Sequence, residues 1–480
     1  MRKVVQAGLF VAAFALAHPG RAQAPAEPLP LPLDDAIACA LEHNRDLVKG
    51  ALDVQGSRLA ADRARETARG LRIVPAGGAE TGSDGDDWNA GLGAEATGSY
   101  GTRVAIAAVA RQIAVDGAAT TRREEVRTEI EQPLLRNFGP LVQNEPIVAA
   151  NETLLAARRA WERDRSALVV SVVELYEDLI YLRRQIESDE AFAARMERLC
   201  AWAGAREAQG RAARTEVLRM DLQRGEAALR LETERAQLAM KFQEFADRLG
   251  LPLDTAFRLS PPPLLDLDVT DAARALAVAL AERPDYAQAL QDVETADRQL
   301  RLARRNLLPD LRLAARQTTY GEGEEWRGAG RLDQDGWFVG LTAAVKLNLR
   351  RAPLDVARAG VDAEAGRQVA EIVRNRLAVE VNAALSAYRR TRAEVELAAR
   401  NRELAANRAE LARELFAAGR ATADSASDAE ADGVAAELSE LAARRDASVA
   451  AYRLLHVLGT LLPAPREILR EETNHATKND

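Results

Sequence analysis

The chain has 480 residues, and its 65 Lys and Arg against 73 Asp and Glu leave a formal net charge of −8 with the two signs mixed along its length, which excludes a broad nucleic-acid-binding surface. Hydrophobic residues make up 47% but aromatics only 4%, so the apolar content is mostly small side chains suited to close helix packing rather than a thick globular core. Cys39 and Cys200 are too few for a disulfide framework and lack zinc spacing, and four histidines leave little material for a metal site or a triad, so the chain reads as no enzyme and as needing no cofactor.

Residues 1–24 begin with Arg2 and Lys3, continue as an apolar run from Val4 to Ala17 and close on Ala22-Gln23-Ala24. These are the three parts of a secretory signal peptide, with Ala17 or Ala22 as alternative cleavage points because Pro25 follows the best site. The remainder is expected to be exported, and no cysteine follows to carry a lipid. After the leader no apolar stretch reaches the ~18 residues a spanning helix needs; the most apolar window, Ala167–Leu182, carries Glu174, Glu177 and Asp178. Entry into a membrane would have to be by strands.

The chain reads as two tandem copies of one unit. Ala40-Leu41-Glu42-His43-Asn44-Arg45-Asp46-Leu47 lines up with Ala279-Leu280-Ala281-Glu282-Arg283-Pro284-Asp285-Tyr286, Gln209-Gly210-Arg211-Ala212 with Ala418-Gly419-Arg420-Ala421, and Leu249-Gly250-Leu251-Pro252 with Leu458-Gly459-Thr460-Leu461. The expected domains are the first copy at 25–252, a Pro-rich linker at 253–270 around Pro261-Pro262-Pro263, the second copy at 271–463 and a polar tail at 464–480. Each copy gives a leading helix (near 34–68 and 271–308), a strand region, a very long helix (141–207 and 353–417), a Gly-centred turn and a returning helix (213–249 and 422–460).

Leu154, Trp161, Leu168, Leu175 and Leu182 recur every seven residues, with Val172, Leu179 and Ile186 offset by four, an a/d seam that predicts a left-handed coiled coil. Leu397, Leu404 and Leu411, with Leu377, Val381, Leu385 and Tyr388 upstream, predict the same for the second copy. A helix of ~67 residues is ~100 Å long, and each returning helix is little over half that. A returning helix and a leading helix are therefore expected to stack end to end against it.

Trp337, Val339, Leu341, Ala343, Val345, Leu347 and Leu349 occupy alternate positions, and Leu311, Leu313 and Ala315 alternate upstream, with the polar Gly321–Asp335 between as an exposed loop. Trp88, Ala90, Leu92, Ala94 and Ala96 form a second period-two run and Val126, Thr128 and Ile130 a third, while Val104, Ile106 and Ala108 compete between them. Such runs suit tilted transmembrane strands, and Trp88, Trp326, Trp337, Tyr100 and Tyr320 suit interfacial girdles. Two hairpins give four strands, too few to seal a barrel, so several copies must share one. The rival reading is a soluble periplasmic coiled-coil scaffold or adaptor capped by a small sheet.

Gln132-Pro133-Leu134-Leu135-Arg136-Asn137-Phe138-Gly139 resembles the strand-to-helix segment of the TolC-like outer-membrane efflux family, Asn44–Leu47 and Arg283–Tyr286 resemble its N-P-x-L turn, and Gly419 followed by Asp428-Ala429-Glu430 resembles its hairpin tip. The resemblance covers nearly the whole mature chain. It implies a mainly α fold with a β-barrel portion: a long antiparallel coiled-coil tunnel in the periplasm, four transmembrane strands per chain and a homotrimeric 12-stranded barrel in outer-membrane lipid. It also implies a channel that takes substrates from a periplasmic adaptor and an inner-membrane pump or secretion transporter. Arg45 replaces the family's Pro, whereas Pro284 keeps it. Of the two tip acids the family spaces three apart, Asp428 falls on the second position and Ser425 on the first, with Asp424 one residue earlier.

Asp424, Asp428 and Asp432 are four apart and share one helical face; threefold repetition would ring a pore with carboxylates, while the alternative is a solvated acidic face at a helix start. Gly210 and Gly419 are expected to end helices, and Arg211 and Arg420 beside them are candidate docking residues of the tip. The Gly77–Asp87 stretch lacks the Lys-Ser/Thr ending of a phosphate loop, and the acidic spacing does not fit an EF-hand.

Overall fold

The computed structural model describes residues 29–82, 85–113, 119–208, 214–269, 271–345, 351–418, 420 and 423–462. In chain order these form β1 (Leu29–Pro30), α1 (Leu33–His43), α2 (Arg45–Arg69), β2 (Arg72–Gly82), β3 (Gly85–Thr97), β4 (Arg103–Ile113), β5 (Thr121–Pro133), α3 (Pro140–Gln143), α4 (Glu145–Ala208) and α5 (Arg214–Leu249). Then come β6 (Phe257–Arg258), α6 (Ala272–Glu282), α7 (Pro284–Arg305), β7 (Asp310–Gly323), α8 (Trp326–Ala329), β8 (Gln334–Ala344), α9 (Arg351–Ala417) and α10 (Ala423–Leu458). The leader, the polar tail, Gly210, Arg211 and Gly419 lie outside the described residues.

The leading helices are not continuous over about 35 residues, as the pattern suggested. Asn44 breaks the first: its carboxamide accepts from the Asp46 and Leu47 amides at 3.0 and 3.1 Å, capping α2. Pro284 breaks the second by opening α7 after Arg283, whose own side chain caps nothing. The two turns solve one problem by different means, an Asx cap in one and a fixed proline φ in the other. The helix ends match more closely. Gly250 and Gly459 sit at φ +72 and +75, and Leu251 and Thr460 donate back to Ala246 and Leu455 at 2.9 and 3.1 Å, the six-to-one bond of a Schellman cap.

The chain divides into two compact units, one of residues up to Cys39 with Leu175–Pro263, the other of Ala40–Glu174 with everything from Leu264. In the first, the later part of α4 packs on α5: Tyr176 and Phe245 are fully buried with ring centroids 6.1 Å apart, and Phe257 stacks edge-on to Phe245 at 5.5 Å. The Lys241 ammonium bonds the Asp178 carboxylate at 2.7 Å, and Arg235 bonds Glu190 at 2.7 Å. Parallel pairing of β1 with β6, with the Tyr176 hydroxyl 2.9 Å from the Leu31 and Ser260 carbonyls, fastens the linker to the helix. Two-residue strands carry no periodicity, so the sequence could not announce this pair.

In the second unit, α9 runs for 67 residues, about 100 Å at helical rise, and two shorter helices share its length. Along its first half lies α7, antiparallel, with Arg367 on Asp297 at 2.7 Å. Along its second half lies α10, with Arg402 on Glu440 at 2.8 Å. At the junction Ala275 and Ala279 of α6, Val381, Leu385 and Tyr388 of α9, and Ala451, Leu454 and Leu458 of α10 form one buried cluster, and the Tyr388 hydroxyl accepts from the Leu267 amide at 2.9 Å. The end-to-end stack required by length is present here.

Seam residues divide. Leu168, Val172, Leu175, Leu179, Leu182 and Ile186 are buried, as are Leu377, Val381, Leu385 and Tyr388, but Leu397, Leu404 and Leu411 are 56–67% exposed. Small residues are buried on this stretch of α9 instead, Ala398 and Ala409, and Ala409 lies against Gly433 of α10. A heptad identifies an apolar face, not the helix that covers it.

The largest correction concerns the strands. Instead of two hairpins there is one six-stranded antiparallel sheet of order β2-β3-β4-β5-β7-β8. The competing run at Val104–Ala108 is a full strand, and Arg72–Gly82 adds another. The latter holds Pro75, Gly77 and Gly78 and little apolar bulk, so its alternation is faint in isolation and emerges only through pairing with β3. Part of the expected polar loop is structured as well, since β7 continues to Gly323 and α8 folds over Gly321 and Gly323.

Candidate channel wall and hairpin tip

Register sorts the sheet into two chemically distinct faces. Following the pairs outward from β8, one face carries Trp337, Val339, Leu341 and Ala343, then Leu311, Leu313 and Ala315, then Val126, Thr128 and Ile130. It continues through Val104, Ile106 and Ala108, then Trp88, Ala90, Leu92, Ala94 and Ala96, to Ile73, Pro75 and Ala79. Leu92, Ile106, Ile130, Leu313, Leu341 and Trp337 stand 41–83% exposed, an apolar expanse far larger than a water-facing surface tolerates. Trp88 and Trp326 stack at 5.3 Å near one end of the strands, and Tyr100 and Phe138 at 5.8 Å near the other, as interfacial aromatics do.

The opposite face is a lattice of ions. Arg72 pairs with Glu95 at 3.1 Å, Glu95 with Arg103, Arg103 with Glu131 at 3.9 Å, and Glu131 with Arg312 at 2.9 Å. This row crosses β2, β3, β4, β5 and β7. Further along the strands Arg316 meets Glu129 at 3.0 Å, and Glu125 lies between Arg123 at 3.2 Å and Arg127 at 2.8 Å. Arg and Glu in near balance line a face that must be wet, because lipid would not accept it.

Where the sheet gives way to helix, the turn after β3 requires a glycine. Gly101 has φ +87, and a Cβ there would stand 2.7 Å from the Pro133 ring. Beyond it Arg298 of α7 bonds Glu145 at 2.8 Å and also Glu152, both on α4; these carboxylates hold the guanidinium protonated more firmly than usual, against the opposing pull of burial.

At the opposite end of α9 the three tip acids are unequal. Asp432 of α10 is ion-paired with Arg408 of α9, Asp428 is exposed, and Asp424 lies in the first turn of α10 with its side chain outside the described residues. Arg420 is exposed in the turn and its amide donates to the Leu415 carbonyl at 2.8 Å. At the junction of α6, α7 and α10, Arg283 bonds Asp285 at 2.6 Å, and its second carboxylate neighbour is Glu380 at 3.5 Å. Burial would raise the Asp285 carboxyl, but Arg283 outweighs it and holds it below the usual range. His456 lies in the same cleft with Nδ1 2.7 Å from the Ser166 hydroxyl; burial and then Arg283 lower its pKa. Residue patterning alone had singled out neither this cleft nor the charged lattice, whose charges alternate with small residues and make no motif.

Residues 275–460 match the family model described as outer membrane efflux protein. Over that stretch, in the second half of the chain, the sequence is similar to this family. Comparison with curated proteins by sequence gives no match. Among solved structures, the chain is similar to the Campylobacter jejuni CmeC outer membrane channel at TM-score 0.69 and 12% identity, over 92% of this chain and 89% of that one. It is similar to the outer-membrane channel OprN at 0.66 and 16%, over 89% and 90%, and to the outer membrane protein VceC of Vibrio cholerae at 0.65 and 16%, over 89% and 96%. At these identities the likeness is one of fold.

Proposed function

We propose that this chain is one subunit of a homotrimeric exit duct in the outer membrane, with a barrel wall supplied jointly by the copies and long helices reaching into the periplasm. There a periplasmic adaptor and an inner-membrane transporter deliver substrate, which leaves by diffusion through a wet lumen. The observation that carries this reading is the two-faced sheet: one surface suited only to lipid and the other only to water, on a sheet whose edges are open. A soluble scaffold would have no use for the first face.

A second observation supports self-association. Leu354, Val361, Ile372, Val379, Leu397, Leu404 and Leu411 of α9 are all exposed, and their separations are close to whole numbers of helical turns, so they form one slowly winding stripe along the helix. A stripe of that length needs a partner helix, and a second copy supplies one. Each copy is read as a duplication, with Gly210, Arg211, Gly419 and Arg420 at the two tip turns that meet the adaptor, and with Asp424, Asp428 and Asp432 near the narrowest ring. The duct has no chemistry of its own.

The test is conductance in planar bilayers. Asp428→Ala, alone or with Asp424→Ala, is expected to raise single-channel conductance and weaken block by polyvalent cations. Unchanged values would remove these residues from the constriction, and full recovery of the wild-type chain from a detergent-free periplasmic extract would remove the duct itself.

A further inference from the structure

We infer that the wall of the assembled duct contains eighteen strands, six from each of three copies, and that each seam joins β2 of one copy to β8 of the next. The inference rests on the trimeric duct proposed above and adds the composition of its wall. The alternative would leave β2 and β3 outside the barrel, with β4 meeting the neighbour's β8 and twelve strands in all.

Three features place the β2–β3 hairpin in the wall. Its pairing is unbroken: every residue from Arg72 to Gly82 has a partner on β3, and β3 pairs with β4 over Asp87–Thr97. The apolar face continues across it, with Leu92 and Ile73 exposed on the same side as Leu341, and Trp88 belongs to the aromatic cluster of Trp326. The charged row also continues onto it, because Glu95 of β3 is shared between Arg72 of β2 and Arg103 of β4. A hairpin turned out of the wall would carry Arg72 and Glu95 of that row into lipid.

The edges then determine the partner. Among the described residues of the sheet only β2 and β8 have an unpaired side, and an open edge is not sustained in hydrocarbon. Six alternating strands leave β2 and β8 running in opposite directions, so a second copy can continue the antiparallel order across the seam. With strands roughly 4.8 Å apart and tilted about 40°, eighteen give a backbone radius of roughly 18 Å against roughly 12 Å for twelve, so the wall encloses about twice the cross-section.

The experiment is disulfide trapping in the full-length trimer with Cys39→Ser and Cys200→Ser as background. One panel combines Val74→Cys, Ala76→Cys or Gly78→Cys in β2 with Gly340→Cys or Thr342→Cys in β8, all on the charged face. A second replaces the β2 positions with Ala105→Cys or Ala107→Cys in β4. Oxidation is expected to link subunits in the first panel and not in the second, and a section through the barrel imaged by electron microscopy should count eighteen strands. Subunit links from β4 with twelve strands in the section overturn this inference and leave the duct standing. A chain that never trimerises overturns both.

Discussion

If the exposed stripe on α9 meets a second copy, replacing one of its leucines weakens the trimer by a calculable amount. Leu404 is 67% exposed in the single chain, and full burial of a leucine is worth about 1.5–3 kcal/mol, so covering what remains contributes about 1–2 kcal/mol per copy. Leu404→Ser should therefore cost roughly 3–6 kcal/mol per trimer, a rise of about 10²–10⁴ in the dissociation constant. Serine is also a weaker helix former, so the neighbouring exposed Glu403→Ser provides the control. Mass photometry of detergent-solubilised protein over a dilution series gives the trimer fraction, and far-UV circular dichroism checks that each variant remains helical. If Leu404→Ser dissociates at the same concentration as Glu403→Ser, the stripe faces something other than a sister chain.

His456 gives a pH dependence with a definite sign. Burial and Arg283 depress its pKa, so the unfolded chain takes up the proton first as pH falls. Stability from this group is complete above the ordinary histidine value near 6.5 and declines as pH drops through the interval down to the depressed folded value. Between pH 7.5 and 5 the thermal midpoint should therefore fall more steeply for wild type than for His456→Asn; parallel curves would show that the imidazole is not the sensor. Gly101→Ala should cost about 2–3 kcal/mol, because φ is positive and the new methyl meets Pro133, whereas Gly98→Ala, with 3.7 Å of room, should leave the yield of assembled protein in outer-membrane fractions unchanged. Equal yields would mean that the turn adjusts.

Helices were largely legible because their signal is long: a seven-residue period through α4 outlasts chance, and the length mismatch between α9 and α10 required the stacked partner that α6 and α7 provide. Burial was less legible. Leu377 and Leu404 read alike, yet the first is buried in its own chain and the second is not, because a period records that a face needs covering and says nothing of what covers it. Strand number failed for a related reason. Ala, Gly and Pro on β2 carry too little contrast to show alternation, and its apolar and polar sides are told apart only by Leu92 and Glu95 across the ladder.

The tip shows the same limit on charge. By spacing, Asp424, Asp428 and Asp432 are three equal carboxylates on one face, but the fold places Arg408 beside Asp432 and leaves Asp428 exposed. A carboxylate that already has a guanidinium partner contributes little net field to a ring and little attraction for a passing cation, since the pair is nearly neutral at the distance of the pore axis. The attraction for cations should therefore come mainly from Asp428. Asp432→Ala should weaken block as well, because it leaves Arg408 as an uncompensated positive charge that repels polyvalent cations, whereas removing both partners with Arg408→Ala and Asp432→Ala should leave block near the wild-type value. A strong loss of block when Arg408 and Asp432 are removed together would mean that the pair is open in the assembled duct.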